Sequence, residues 1–366
     1  MGCLTIPVLK YGDFSLHLHK KANPNRIPLD GGIELTSRCN LRCVHCYINN
    51  PASDKEIQKR ELSTRKLHNL IDQVTDEGCL WLLLTGGEPL LRPDFLDIYS
   101  YAKRKGMIIT LFTNGTTITP SIAKRLSEQP PFVVEITLYG RTQQTYERVT
   151  RVPGSYEKCI KGIELLLDHN IRFKLKTMVM TLNAHEVWDM KRYAEQMGVD
   201  FSFDAVLNMR VDGGSAPGNF RLSPEEVVNL DLVDKERMKE WLDLRVPLVG
   251  QDREPYYLYE CGAGLSSFHI DSFGQLSVCV MARVPSFDLR RFTFKKGWHD
   301  VLAKVRDEKL PAESPCRNCN LKILCGNCPG FAYLETRHQE ERVDYLCEIG
   351  QLRARAFGVP TVDVNQ

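Results

Sequence analysis

Three cysteines, Cys39, Cys43 and Cys46, stand at i, i+4 and i+7 in the run Ser-Arg-Cys-Asn-Leu-Arg-Cys-Val-His-Cys-Tyr. Thiolates are soft ligands suited to iron–sulfur clusters, and a short loop with this spacing can wrap three corners of a 4Fe–4S cube. The fourth iron then lacks a protein ligand, so it can bind a small molecule and pass it an electron. A zinc site with His45 as fourth ligand is the competing reading, but C-x3-C-x-H-C is not a usual zinc spacing. Seven further cysteines gather downstream: Cys261, Cys279, Cys316, Cys319, Cys325, Cys328 and Cys347. Ten of the thirteen cysteines therefore fall in two sets. The first twenty residues show no apolar core followed by a small-residue cleavage site, so the count points to metal binding rather than disulfides. Cys159, on a helical stripe with Ile160, Ile163, Leu166 and Leu167, and Cys79, opening an apolar strand, read as small buried hydrophobes. Cys3 carries no assignment.

Such a loop needs a frame. From Ile33 to about Leu207, short apolar runs alternate with amphipathic helical stretches, the pattern of repeated β/α units and a parallel sheet. The strand candidates are Ile33 to Thr36, Leu80 to Thr85, Met107 to Phe112, Val133 to Leu138, Arg172 to Met180 and Phe201 to Leu207. Helices are expected over Ser63 to Glu77, stopped by Gly78, and over Asp94 to Lys105, stopped by Gly106. In such architectures the loops leaving the C-terminal strand ends share one face and carry the chemistry. The cysteine loop follows the first strand. Thr85-Gly86-Gly87-Glu88-Pro89 follows the second, its paired glycines letting backbone approach a ligand while Glu88 and Pro89 fix the turn.

A loop is expected at Asp212 to Asn219, then a helical piece from Pro224 to about Trp241, then a turn-rich, metal-organised segment. The expected division is an extension over 1–32, a core over 33–215, a helical linker over 216–254 and a cysteine-rich domain over 255–366. Hydrophobic residues make up 43% and charged residues 26%, with a net charge of +2, so the chain reads as a soluble globular protein. That charge gives no basic field to attract nucleic acid or an acidic membrane surface. No apolar run reaches membrane-spanning length, and a cytoplasmic location is expected.

Taken together in this order, the cysteine loop and the Gly-Gly-Glu-Pro turn resemble the radical S-adenosylmethionine superfamily, with His45 in the family's aromatic slot. Thr113-Asn114-Gly115 after the third strand and Thr137 near the end of the fourth match the family's manner. The resemblance implies an α/β fold, a partial six-fold β/α barrel. It implies that Cys39, Cys43 and Cys46 ligate a radical-generating cluster, and that Gly86, Gly87, Glu88 and Pro89 form the turn that holds the amine of S-adenosylmethionine. Thr137, Asn114 and Arg148 would contact its ribose or carboxylate. One electron passed to the sulfonium would break a carbon–sulfur bond, and the resulting 5′-deoxyadenosyl radical would take a hydrogen atom from substrate. Reduced flavodoxin or ferredoxin would donate that electron.

The downstream cysteines resemble the SPASM extension of the same superfamily. The Cys325 to Cys328 gap is one residue short of that pattern and the Cys328 to Cys347 gap one residue long, so the outer frame is kept and only Cys328 is displaced. By analogy Cys316, Cys319, Cys325 and Cys347 close one auxiliary 4Fe–4S cluster, and Cys261, Cys279 and Cys328 supply three ligands of another, three clusters in all. Glu260 or Asp271 would complete the last, or its fourth iron is open. A zinc knuckle of Cys316, Cys319, Cys325 and Cys328 is the alternative, at the cost of leaving the other three unexplained.

Val280 follows Cys279 where sulfatase-maturing members carry an aspartate base, which argues against formylglycine formation. The 38 residues before Cys39 are too few for a fused peptide-recognition domain, so a precursor peptide or protein substrate would need a separate recognition protein or direct binding. The layout is similar to the pyrroloquinoline quinone synthesis enzyme and related peptide maturases. A crosslink or thioether in a ribosomally made peptide is the expected product. Side-chain modification of a haem or haem d1 precursor is the alternative, and an iron–sulfur electron carrier or redox regulator is the alternative of another class.

Overall fold

The computed structural model describes residues 10–48, 50–245 and 257–360. Cys3 and the expected end of the linker lie outside them. Six parallel strands form the frame: β1 (Asp30–Thr36), β2 (Trp81–Gly86), β3 (Ile108–Thr113), β4 (Val133–Thr137), β5 (Phe173–Met178) and β6 (Phe201–Asp204), in that spatial order. Each expected strand is present. The last two stop earlier than expected. Asn183 accepts the Met180 N–H through its side-chain oxygen at 2.8 Å, and the Asp204 carboxylate accepts from Val206 at 2.8 Å, so each chain turns out of the ladder.

Register assigns the two faces of this sheet. Ile33, Leu35, Leu82, Leu84, Ile109, Leu111, Val134, Ile136 and Leu175 are essentially inaccessible and belong to one apolar core. The alternate positions point to the opposite, concave face, because successive strand residues alternate sides. There Glu34 pairs with Thr85, Phe112 with Glu135, Glu135 with Lys174 and Thr137 with Lys176. The helix Tyr11–Ala22 closes the N-terminal end: Tyr11 stacks on Phe132 at 4.7 Å, and His19 stacks on Trp81 and meets Asp30 at 2.6 Å. The open end is where the strands finish.

The helices follow their local signals. Thr64–Asp76 begins at Ser63, whose hydroxyl accepts from Lys66, buries Leu67, Leu70, Ile71 and Val74, and ends before Gly78 at φ +99°. The expected helical piece after Pro224 is two helices, Pro224–Val233 and Lys235–Arg245, because Asp234 leaves the first and accepts the N–H groups of Glu236 and Arg237 to start the second.

Three further strands, β7 (Ser267–Ile270), β8 (Gln275–Ser277) and β9 (Phe287–Asp288), extend the same sheet on the far side of β1. β7 runs parallel to β1, with Gly32 opposite His269, and β8 and β9 continue antiparallel. The sheet therefore crosses the boundary expected near residue 255. Phe268, Phe294 and Trp298 pack into the core that holds the barrel helices.

Candidate active site and cluster-binding loops

The loop after β1 is braced before its cysteines begin. Arg38 forms a bidentate pair with Glu61, both nearly inaccessible, and Glu61 also accepts from Thr36 and the Ser37 N–H. Arg42 and Val44 donate their backbone N–H groups to the carbonyls of Thr150 and Val149, which end the helix Gln143–Thr150. From the other side, Arg210 donates to the carbonyls of Cys46 and Ile48, and Val211 N–H to Tyr47. Nothing in the sequence around Arg210 announces this clamp.

Cys39 Sγ accepts from the Leu41 N–H at 3.4 Å and the Asn114 amide at 3.7 Å. Burial raises the thiols of Cys39 and Cys43; the charges of Glu88 and then Cys46 push Cys39 further, up to about 12, and those of Cys46 and Cys39 raise Cys43. The three cysteines lie near enough for their charges to act on one another, and a cationic cluster would hold them ionised. His45 stacks edge-on against Tyr139 at 4.9 Å, and burial lowers its pKa to about 4. It is a neutral wall residue, as its place in the motif requires.

The Gly-Gly-Glu-Pro turn docks directly on this loop. Gly87 and Glu88 donate their N–H groups to the carbonyls of Thr36 and Arg38, at 2.8 and 2.9 Å. A Cβ on Gly86 would come within 2.1 Å of the Thr36 carbonyl oxygen, and one on Gly87 within 2.3 Å of that of Arg38. Only glycine permits this approach. The Glu88 side chain is fully buried and accepts from Leu90 and Asn114 N–H groups and the Thr113 hydroxyl. Burial raises its pKa against those hydrogen bonds. Its carboxylate thereby ties the turn to β3, while Pro89 starts a buried 3-10 turn. Asn114 reaches back to Asn40 at 2.9 Å and so joins the same assembly. Thr137 lies at the end of β4 on the concave face. Arg148 is exposed on the helix Gln143–Thr150, away from these contacts.

Two charged groups on the concave face were not singled out by sequence. Glu34, 1% exposed, receives Arg283 at 2.5 Å, with His269 and the Tyr47 hydroxyl each at 3.4 Å. Burial would raise the Glu34 carboxyl, but His269 and Arg283 outweigh it and hold the pKa at about 2. The group links the first cysteine loop, through Tyr47, to the segment after Cys279, through Arg283. The other is Glu135, flanked by Lys174 at 2.7 Å and Lys176 at 3.1 Å. A polar residue alternating with apolar ones in each strand was the available signal.

Six of the seven downstream cysteines, Cys261, Cys316, Cys319, Cys325, Cys328 and Cys347, line a cavity of about 1110 Å³. Burial raises Cys325, and after its contact with the Asn327 N–H the nearby charges are those of Cys319, Cys316 and Cys347; for Cys328 they are Cys279 and Cys261. The cysteines that act on Cys325 and those that act on Cys328 are thus different ones. Backbone N–H groups of Leu321, Asn327 and Phe331 point at Cys319, Cys325 and Cys328 from 3.3 to 3.4 Å, and the side-chain amide of Gln351 donates to Cys347 from 3.6 Å. Soft donors, room for more than one cube and N–H groups aimed at sulfur fit iron–sulfur clusters. Among the described residues no three or more His, Cys, Asp or Glu are arranged around a single-ion position. Of the other candidate ligands, Glu260 lines the cavity and pairs with Lys322 at 2.7 Å, whereas Asp271 accepts the Phe273 and Gln275 N–H groups and shapes the β7–β8 turn. Cys79 and Cys159 are buried in the core, as small hydrophobes. Among the described residues no helix is long and apolar enough to cross a membrane.

The profile of the Radical SAM superfamily matches residues 33–194. An AdoMet-dependent heme synthase of Nitratidesulfovibrio vulgaris is 33% identical over 327 residues, covering 82% of this chain and 87% of that protein. The antilisterial bacteriocin subtilosin biosynthesis protein AlbA of Bacillus subtilis is 26% identical over 323 residues, covering 84% of this chain and 68% of that protein. Among solved structures, Streptococcus suis SuiB bound to precursor peptide SuiA superposes with a TM-score of 0.69 at 16% identity, over 95% of this chain and 84% of that one. That likeness shows a shared fold. With a three-cysteine loop seated on its Gly-Gly-Glu-Pro turn, a SPASM-type cysteine set and these relatives, the chain belongs to the radical SAM superfamily, whose cofactors are 4Fe–4S clusters and S-adenosylmethionine.

Proposed function

We propose that this chain cleaves S-adenosylmethionine reductively and removes a hydrogen atom from a substrate held against the concave face of its sheet. The observation that carries the reading is the direct seating of the Gly86-Gly87 backbone on the Thr36–Arg38 backbone, beside Cys39. When bound, the cluster supplies the electron that breaks a carbon–sulfur bond. Cys39, Cys43 and Cys46 would hold that cluster, the Gly86–Pro89 turn the amine of S-adenosylmethionine, and Thr137 and Asn114 its other polar groups. Arg148, exposed on its helix, is the third candidate for those groups. The Arg210 clamp and Tyr139 wall would exclude water, which a carbon radical requires. The core over 33–215 would carry this site, and the segment over 255–366 two auxiliary clusters, with Cys316, Cys319, Cys325 and Cys347 on one and Cys261, Cys279 and Cys328 on the other. Reduced flavodoxin or ferredoxin would deliver electrons.

Two substrate readings have support. Crosslinking or thioether formation in a ribosomally made peptide draws on the similarity to AlbA, whose name gives it a role in bacteriocin biosynthesis. Modification of a haem precursor draws on the similarity to a heme synthase, which carries the higher identity of the two. Anaerobic turnover with deuterated substrate decides: transfer of deuterium into 5′-deoxyadenosine from a peptide carbon supports the first, and from a porphyrin propionate the second. Absence of 5′-deoxyadenosine under reducing conditions overturns the whole proposal. Iron counting tests the assignments, since alanine at Cys39, Cys43 and Cys46 together, or at Cys316 and Cys319, should each remove about four irons.

A further inference from the structure

The concave face carries a pair of lysines on one carboxylate that the cluster chemistry does not use. Lys174 and Lys176 project from β5 toward Glu135 on β4, at 2.7 and 3.1 Å, with side-chain exposures of 33% and 22% against 11% for the carboxylate. Both lysines share this one acid. Among the described residues no second carboxylate pairs with either. Two ammonium groups against one carboxylate leave one positive charge without a protein counterion, in a partly buried setting. Lys176 also lies over the Phe112 ring, which holds its ammonium on the concave side instead of letting it extend to bulk solvent. The cavity of about 300 Å³ at the closed end of the sheet is lined by Asp30 and Glu135 and by neither lysine, so an anion would meet the lysines from the other, open side. Lys176 sits opposite Thr137, toward the end where the cysteine loop lies.

One lysine is enough to balance Glu135, and the second, on the face that carries the chemistry, is available to an external anion. We propose that Lys174 and Lys176 bind a carboxylate of the substrate, with Glu135 as the internal anion that holds them in place until substrate arrives. The inference rests on the radical-enzyme reading for its substrate, and it names the substrate class as one bearing carboxylates. A porphyrin propionate and a glutamate or aspartate of a peptide present the same group.

The reconstituted, cluster-loaded enzyme is titrated with iron coproporphyrin III and with its tetramethyl ester, followed by the Soret band. A Glu-rich hexapeptide and its Gln counterpart form a second arm, followed by calorimetry. Binding of either acid form about tenfold or more tighter than its neutral form supports the site and identifies the source. Lys176→Met should weaken that binding about tenfold, and Lys176→Arg should restore most of it. Glu135→Gln, which removes the competing internal anion, should tighten it, an outcome that a purely structural ion pair does not produce and that stands even if Lys176→Met fails to fold. Equal affinity for acid and neutral forms in both arms, or a folded Lys176→Met that binds as the parent does, overturns the inference. Cleavage of S-adenosylmethionine by the unaltered enzyme without added substrate is measured separately, so failure of the radical reading is told apart from failure of the carboxylate site.

Discussion

Gly87 leaves no room for a methyl group: the nearest obstacle is backbone, the Arg38 carbonyl at 2.3 Å, and a carbonyl in a braced loop cannot rotate aside. Gly87→Ala must part the turn from the cysteine loop at a cost of about 1–3 kcal/mol. The expected result is retained iron with 5′-deoxyadenosine formation lowered about tenfold or more, measured anaerobically with dithionite. Lys176 gives a prediction in pH. Burial lowers its pKa to about 8 although Glu135 from β4 opposes that shift, Lys174 on its own strand adds to it, and the facing Ser202 of β6 is neutral. The ammonium is charged below that value and neutral above it. Affinity for a carboxylate probe should therefore fall as pH rises from 7 to 9, and Lys176→Arg should flatten the profile. A flat profile in the parent enzyme would remove Lys176 from the binding step.

At the scale of elements, the helices after the barrel are fastened by charge. Asp231, wholly buried on Pro224–Val233, accepts from Arg237 on the next helix at 2.7 Å and from Arg353 on Asp344–Phe357 at 2.9 Å. Arg353 also donates to the Leu324 carbonyl, beside Cys325. Removing the shared carboxylate leaves a buried guanidinium unpaired, so Asp231→Ala should lower unfolding stability by about 3–5 kcal/mol. Anaerobic denaturant titration checks this, and a loss below about 1 kcal/mol would show that the triad contributes little. Strands and helices were legible where apolar period and capping residues agreed, as for Thr64–Asp76. They were misjudged where one side chain redirected the backbone, as Asn183, Asp204 and Asp234 do, because such local hydrogen bonds leave no mark on hydrophobic period.

At the scale of the molecule, Trp298 joins three parts. Its indole donates to the Arg26 carbonyl at 2.7 Å, and its ring meets Phe294 and Phe268, the latter on β7, which pairs with β1. Trp298→Ala should cost about 3–5 kcal/mol, and because β7 and β1 share one sheet, barrel and C-terminal segment should lose structure in one transition. Two separate transitions by hydrogen exchange would count against this. The family, the parallel strands, the cysteine loop and the turn that meets it were legible in the residues alone, since these depend on residue type at short, fixed spacings. Tertiary packing alone set that the sheet runs on into the cysteine-rich segment, that six of the seven downstream cysteines line one cavity, and that Arg148 faces solvent. It alone decided that Glu34 meets Arg283 and that two lysines face Glu135. These depend on strand register and on contacts across many residues, where a single charged position inside an apolar run does not reveal which neighbour it will meet.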